Sequence, residues 1–218
     1  MKSKEIDIKI ENAVVKGLLS LPKDATAIVI FVHGSGSGRL SPRNQYVAEI
    51  LSDGNLATLL MDLLTEEEEI VDIQTRALRF DLQLLTKRLL HITEFIHELK
   101  ETKGMNNGYF GASHGAAAAL MAASVKGNKI DAIVSRGGRP DLAISCLPHV
   151  TAPTLFIVGE NDKVVIDLNK QAYEVLESEK QMEIVKGATH LFEEPGTLAE
   201  AANLSLNWFT KYLHKTRP

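Results

Sequence analysis

Apolar and polar residues alternate over the first twenty positions. Ile6, Ile8 and Ile10 fall on one side of an extended segment, Asn12 marks a turn, and residues 15–21 return beside it. A period of two predicts an antiparallel hairpin with one buried face. From Ala27 the pattern changes: Ala27-Ile28-Val29-Ile30-Phe31-Val32 is an unbroken β-branched and aromatic run closed by glycines. Such a run suits a strand buried on both faces of a parallel sheet. Similar runs occupy 56–61, 108–111, 130–134, 154–158 and 182–185. Between them the spacing becomes helical. From Leu78 the apolar positions Leu82, Leu85, Leu89, Ile92, Ile96 and Leu99 step by three and four, predicting one long amphipathic helix that Gly104 ends. Further helices are expected over 43–52, 115–126, 168–176 and 198–212, with Asp141 and Asp167 as helix-start residues. Strands alternating with helices predict an α/β fold: a mainly parallel, twisted sheet with helices on both faces and an N-terminal antiparallel hairpin. No linker or repeat divides the chain, so 1–218 is expected to form a single domain.

Composition changes this picture little. Of 218 residues 44% are hydrophobic and 24% charged, as in an ordinary folded domain. With 24 basic and 28 acidic residues the net charge is −4, which disfavours nucleic acid and anionic membranes as partners. The one cysteine, Cys146, has no partner for an internal disulfide, and neither an export signal nor an apolar run of membrane-spanning length appears. A cytoplasmic protein is expected. The acidic run Glu66-Glu67-Glu68-Glu69 reads as a solvated loop or helix start, because four adjacent side chains cannot all face one ion. His91 and His97 lie six apart on the long helix and share no face, so no metal site is expected.

The chemistry concentrates in Gly111-Ala112-Ser113-His114-Gly115, which follows a short strand and precedes an alanine-rich helix. At a strand-to-helix turn this G-x-S-x-G pattern lets the backbone bend sharply and presents the Ser113 hydroxyl at a helix N-terminus, where developing negative charge is favoured. The backbone N–H of His114 becomes a candidate oxyanion donor. A serine nucleophile needs a base and an orienting acid. Asp162 follows the strand 154–158 in Gly159-Glu160-Asn161-Asp162, and His190 follows the strand 182–185 in Lys186-Gly187-Ala188-Thr189-His190. Both lie at C-terminal strand edges, where open α/β sheets bind ligands. Glu160 is the alternative acid; Asp162, deeper in the turn, is preferred. His149 and His214 occupy positions that do not suit a base.

A second glycine-rich loop, His33-Gly34-Ser35-Gly36-Ser37-Gly38-Arg39, follows the first long strand and can aim the N–H of Ser35 at the same oxyanion. It fits neither a dinucleotide fingerprint, since Arg39 replaces the last glycine, nor a P-loop, and Asp62 only imitates a ribose-binding acid. In the order Ser113, Asp162, His190 with this loop, the chain resembles the α/β-hydrolase superfamily, and within it the dienelactone hydrolase family, over nearly its whole length. That resemblance implies a three-layer fold without a cap domain, a nucleophile at Ser113, an acid at Asp162, a base at His190, oxyanion N–H groups at Ser35 and His114, and no cofactor. Dienelactone hydrolases proper carry a cysteine nucleophile, so a lactone substrate does not carry over to Ser113. In the similar serine-bearing branch some members are fused to a phosphoribosyltransferase domain, which this chain is expected to lack.

The expected activity is that of a serine hydrolase acting on small or short-chain carboxylic esters or thioesters, in a monomer or homodimer. The alternative is a catalytically silent scaffold that binds a small molecule or partner. Arg39, with Arg43 nearby, and Arg136 and Arg139 in Ser135-Arg136-Gly137-Gly138-Arg139 are expected around the mouth of the site, where guanidinium groups suit a carboxylate or phosphate on the substrate.

Overall fold

A computed structural model of the chain describes residues 3–11, 13–125 and 130–214. Asn12 at the expected hairpin turn and Lys126 at the expected end of the alanine-rich helix lie outside these residues. Strands β1 (Lys4–Ile10) and β2 (Ala13–Ser20) pair antiparallel, with Ile8 opposite Val15. β2 joins β4 (Ala57–Met61) antiparallel, and β3 (Ala27–Val32), β4, β5 (Asn106–Ala112), β6 (Ala132–Arg136), β7 (Thr154–Gly159) and β8 (Lys180–Val185) run parallel. The strand order is β1-β2-β4-β3-β5-β6-β7-β8. Every residue of β3, β4, β6 and β7 is buried, which is why these strands read as continuous runs rather than alternations.

Two apolar layers sandwich the sheet. α1 (Pro42–Asp53) and α6 (Thr197–Leu213) pack on one face around Val29, Phe31, Phe110 and Val134. The other face meets α3 (Leu82–Glu98), α4 (His114–Val125) and α5 (Lys163–Val175) through Ile28, Ile30, Tyr109 and Ile133. No cap domain covers the sheet among the described residues.

Three element boundaries differ from the sequence pattern. The long helix begins at Leu82, because Asp81 caps it by accepting from the N–H groups of Gln83 and Leu84; Leu78–Phe80 is a separate 3-10 turn. α5 begins at Lys163, five residues before the expected start at 168. Its first turn, Lys163-Val164-Val165-Ile166, is β-branched and imitates a strand, and Asp167 lies inside the helix. The run Glu66–Glu69 opens a helix that the periodicity does not reveal, α2 (Glu66–Thr75), started by a capping box between Thr65 and Glu68. Arg88 then clamps the Glu68 carboxylate with both terminal nitrogens, at 2.7 and 2.8 Å. Asp141 does lie in the first turn of a helix, the 3-10 segment Pro140–His149.

Glycines decide how closely α4 seats on the sheet. A Cβ on Gly111 would lie 2.4 Å from the Cα of Ala116, and one on Gly115 would lie 2.1 Å from the carbonyl oxygen of Val32 and 2.5 Å from that of His33. Backbone atoms cannot yield as a side-chain tip would. Gly115→Ala is therefore expected to destabilise the fold by about 3 kcal/mol, the upper end of ordinary overpacking, read as a lowered urea midpoint. An unchanged midpoint would mean that α4 slides freely on β3.

Candidate active site

The chain leaves β5 at Ala112, turns at Ser113 and enters α4 at His114. Ser113 takes φ +50°, a left-handed conformation that side-chain-bearing residues adopt at a cost. Its carbonyl accepts from the N–H groups of Ala116 and Arg139, and its own N–H donates to the carbonyl of Arg136 on β6. The strained turn is thus held from three directions. As the first residue of α4, His114 has no carbonyl four residues back within the helix for its N–H to meet.

Asp162 and His190 arrive from adjacent strands. Asp162 follows β7 at the head of α5, but its side chain makes no capping bond. Instead Oδ2 lies 2.6 Å from Nδ1 of His190, in the loop after β8. Asp162 is mostly shielded and the His190 side chain is 38% exposed. His190 and Ser113 line one open cavity of about 250 Å³ together with Gly34, Ser35, Ser37, Ser41, Arg43, Asn44, Ala112, Arg136 and Leu191. Ser113 Oγ and the His190 ring share this cavity without a direct hydrogen bond between them. Glu160, the alternative acid, faces away from His190: its Oε2 accepts from the N–H of Gly187 at 2.8 Å and ties the β7 loop to the β8 loop. The Glu194 carboxylate holds the residue next to the histidine, accepting from the backbone N–H and the hydroxyl of Thr189; those bonds keep it below the usual carboxylate range.

The loop after β3 is fastened from behind. The half-buried imidazole of His33 contacts the carbonyl of Gly34 through Nδ1 at 2.8 Å, while its Nε2 accepts from the N–H of Leu63 at 3.1 Å. That pattern requires the neutral ring with its proton on Nδ1, and burial accordingly pushes the His33 pKa down despite the nearby carboxylates of Asp62 and Glu69. Asp62 accepts from the backbone N–H of Arg39 and pairs with its guanidinium, closing the far end of the loop. His33 as clamp and Asp62 as loop anchor were not evident in the sequence, because each acts on backbone groups distant in the chain.

The three candidate arginines separate. Arg39 turns to Asp62 and Glu5, away from the cavity. Arg139 pairs with Asp141 through two bonds of 2.8 Å. It lies near enough to His114 that, after burial, its charge helps depress the His114 pKa; the His114 ring in turn meets Phe80 edge-on at 4.9 Å. Of these three, Arg136 lines the cavity with Ser113, as does Arg43. Among the described residues no cluster of His, Cys, Asp and Glu could hold a metal ion, and no helix is long and apolar enough to cross a membrane.

Comparison with known proteins places the fold and the family. The sequence pattern of the dienelactone hydrolase family matches residues 15–216. The crystal structure of a dienelactone hydrolase from Anabaena variabilis superposes with a TM-score of 0.96 at 50% identity, covering 98% of this chain and 100% of that one. An α/β serine hydrolase homologue from Coxiella burnetii shares the fold at 17% identity, with a TM-score of 0.78 over 95% of this chain and 97% of its own. Proteins from two strains of Mycobacterium tuberculosis, each named "Putative phosphoribosyl transferase", are 48% identical over 213 residues, 98% of this chain but 47% of theirs. The chain spans about half the length of these curated relatives.

The half-buried, neutral His33 sets a pH dependence. Its folded pKa lies below the ordinary value near 6.5, so below about pH 6.5 the unfolded chain takes up a proton that the folded one resists, and stability falls with falling pH. His114 is shifted the same way. The unfolding free energy from urea titrations should drop between pH 7.5 and 5.5, by at most about 1.4 kcal/mol per pH unit for His33, and His33→Asn should flatten that slope. An equal slope in the variant would remove His33 as its cause.

Proposed function

The chain belongs to the dienelactone hydrolase family, and on that premise we propose that it is a serine hydrolase cleaving small or short-chain carboxylic ester or thioester bonds through an acyl-enzyme on Ser113. The observation that carries the proposal is the 2.6 Å contact between Asp162 and His190 beside a serine at positive φ. A carboxylate on Nδ1 fixes the tautomer that leaves Nε2 free to act as a base. His190 then takes the proton of Ser113, and the alkoxide attacks the acyl carbonyl. The N–H groups of Ser35 and His114 stabilise the oxyanion, assisted by the N-terminus of α4. The alcohol or thiol leaves with the proton from His190, and water, deprotonated by the same imidazole, hydrolyses the acyl-enzyme.

Family members proper use a cysteine at the elbow; the hydroxyl of Ser113, far weaker as an acid, depends wholly on His190 for activation. The transferase named in the M. tuberculosis relatives belongs to proteins about twice as long as the matched segment. The half matched here carries a hydrolase's constellation, and its glycine loop 34–38 lacks the sequence of a phosphate loop. A small-molecule ester as partner, a cytoplasmic setting, and a monomer or homodimer that binds neither nucleic acid nor membrane complete the proposal, supported by a net charge of −4 and a single cysteine.

Hydrolysis of p-nitrophenyl esters of increasing acyl length tests it. Turnover should favour short chains and fall by about 10⁴–10⁶ in Ser113→Ala and about 10⁴ in Asp162→Asn. A fluorophosphonate probe should label the native protein and not Ser113→Ala. Turnover that survives Ser113→Ala would overturn the mechanism, and absence of both turnover and labelling would favour the silent scaffold.

A further inference from the structure

α2 inverts the arrangement expected of a surface helix. Ile70, Val71 and Ile73 are exposed, and the one residue of the helix that is buried is an acid, Asp72, at 2% exposure. Burying a carboxylate is costly unless it is paired and hydrogen-bonded, and here the partners come from one short stretch of chain. Oδ1 accepts from the N–H groups of Leu78 and Arg79 at 2.8 and 3.0 Å, and Oδ2 pairs with Nε of Arg79 at 2.5 Å. The carbonyl of Asp72 accepts from the N–H of Arg76 and from Nη2 of Arg79. Arg76 takes φ +55° where the chain turns back toward the acid. Burial raises the Asp72 pKa, but the bonds from Arg79 and Leu78 outweigh it and hold the carboxyl below the ordinary range, so the group is charged at neutral pH.

The turn held in this way, Leu78–Phe80, lies against both segments that carry the candidate oxyanion N–H groups. On one side Arg79 reaches the loop after β3: a Cβ on Gly36, which takes φ +71°, would lie 3.3 Å from Nη1 of Arg79. Ser35, Gly36, Asp72 and Arg79 line one small cavity of about 40 Å³, distinct from the one that Ser113 lines. On the other side the Phe80 ring meets the His114 ring edge-on, with centres 4.9 Å apart. His114 follows Ser113 and opens α4. Two consecutive residues of one turn thus touch the Ser35 loop and His114, and the turn itself is fastened by a single buried carboxylate.

We infer that Asp72 is a positioning residue for the oxyanion hole: its carboxylate fixes the turn Leu78–Phe80, and that turn holds the Ser35 loop through Arg79 and the His114 N–H through Phe80. The inference rests on the hydrolase reading and adds to it a residue outside the triad and outside both donor segments. Donors stabilise a developing oxyanion only if they are in place when the charge appears, and a displacement of about 1 Å can cost on the order of 10²-fold in rate. Asp72 neither meets the substrate nor moves a proton; it acts through the turn.

Steady-state hydrolysis of the fastest p-nitrophenyl ester of the acyl series, measured beside inhibition by an alkyl trifluoromethyl ketone, tests this. The ketone adds to the serine and its adduct carries an oxyanion, so its Ki reads the same donors as the transition state. Asp72→Asn keeps an oxygen for the N–H groups of Leu78 and Arg79 but not the acceptor for Nε, Asp72→Ala loses both, and Arg79→Met leaves Asp72 its two backbone donors. With each variant folded by circular dichroism, kcat should fall by roughly 10-fold in Asp72→Asn and Arg79→Met and by roughly 100-fold in Asp72→Ala, with KM little changed and Ki rising by the same factor. A loss of packing alone would not move Ki in step with kcat. Unchanged kcat and Ki, a loss confined to KM, or a fall in kcat that Ki does not follow overturns the positioning role and leaves the hydrolase intact. No turnover of any ester by the native protein, with no fluorophosphonate labelling, overturns both. Should Asp72→Ala fail to fold, Asp72→Asn and Arg79→Met with native kcat and Ki overturn the role equally.

Discussion

Ser113 holds a left-handed backbone that costs a residue with a Cβ on the order of 1 kcal/mol or more, and the packing around it keeps that conformation in place. Gly111 and Gly115 let α4 approach β5 and β3 to distances no Cβ would permit. The carbonyl of Ser113 is bonded twice and its N–H is tied to β6. If α4 withdrew, the turn could relax toward an ordinary helix start, and the hydroxyl would leave the end of the sheet. The strain persists because relaxing it would break contacts on three neighbouring elements.

Around that turn, the loops are held by one another rather than by their own strands. Glu160 fastens the β7 loop to the β8 loop, Glu194 holds Thr189 beside His190, and His33 with Asp62 pins the loop after β3 to the end of β4. Each tie joins a side chain to a backbone group across 5 to 30 residues of sequence. Such cross-loop bonds hold reacting groups in position before a substrate arrives, which is where electrostatic stabilisation of a transition state comes from.

Three arginines in a similar sequence context meet three different environments. Arg39 and Arg139 each have an acid at hand, at Asp62 and Asp141, and become structural. Among the described residues Arg136 ends a fully buried strand with no acid in contact, and its guanidinium lies against two aromatic rings. Proximity to the glycine loops in sequence did not distinguish them; the presence of a counter-ion did.

Hydrophobic periodicity determined the hairpin, the parallel strands and most of the helices, because burial on one or both faces leaves a direct mark on residue order. The elbow pattern at Ser113 and the succession of Asp162 and His190 after later strands were legible for the same reason: parallel strands bring their C-terminal ends to one edge. Of α2 only the acidic start was legible, as one of two readings; its extent was not, since its stability comes from a capping box and the Arg88 clamp rather than from an apolar stripe. Nor was the early start of α5, where β-branched residues imitate a strand. Which acid meets His190, which arginine faces the cavity and what holds the oxyanion loop were decided only by tertiary structure. Those outcomes depend on directions and distances of a few ångströms between residues far apart in the chain, and residue order carries no direct record of them.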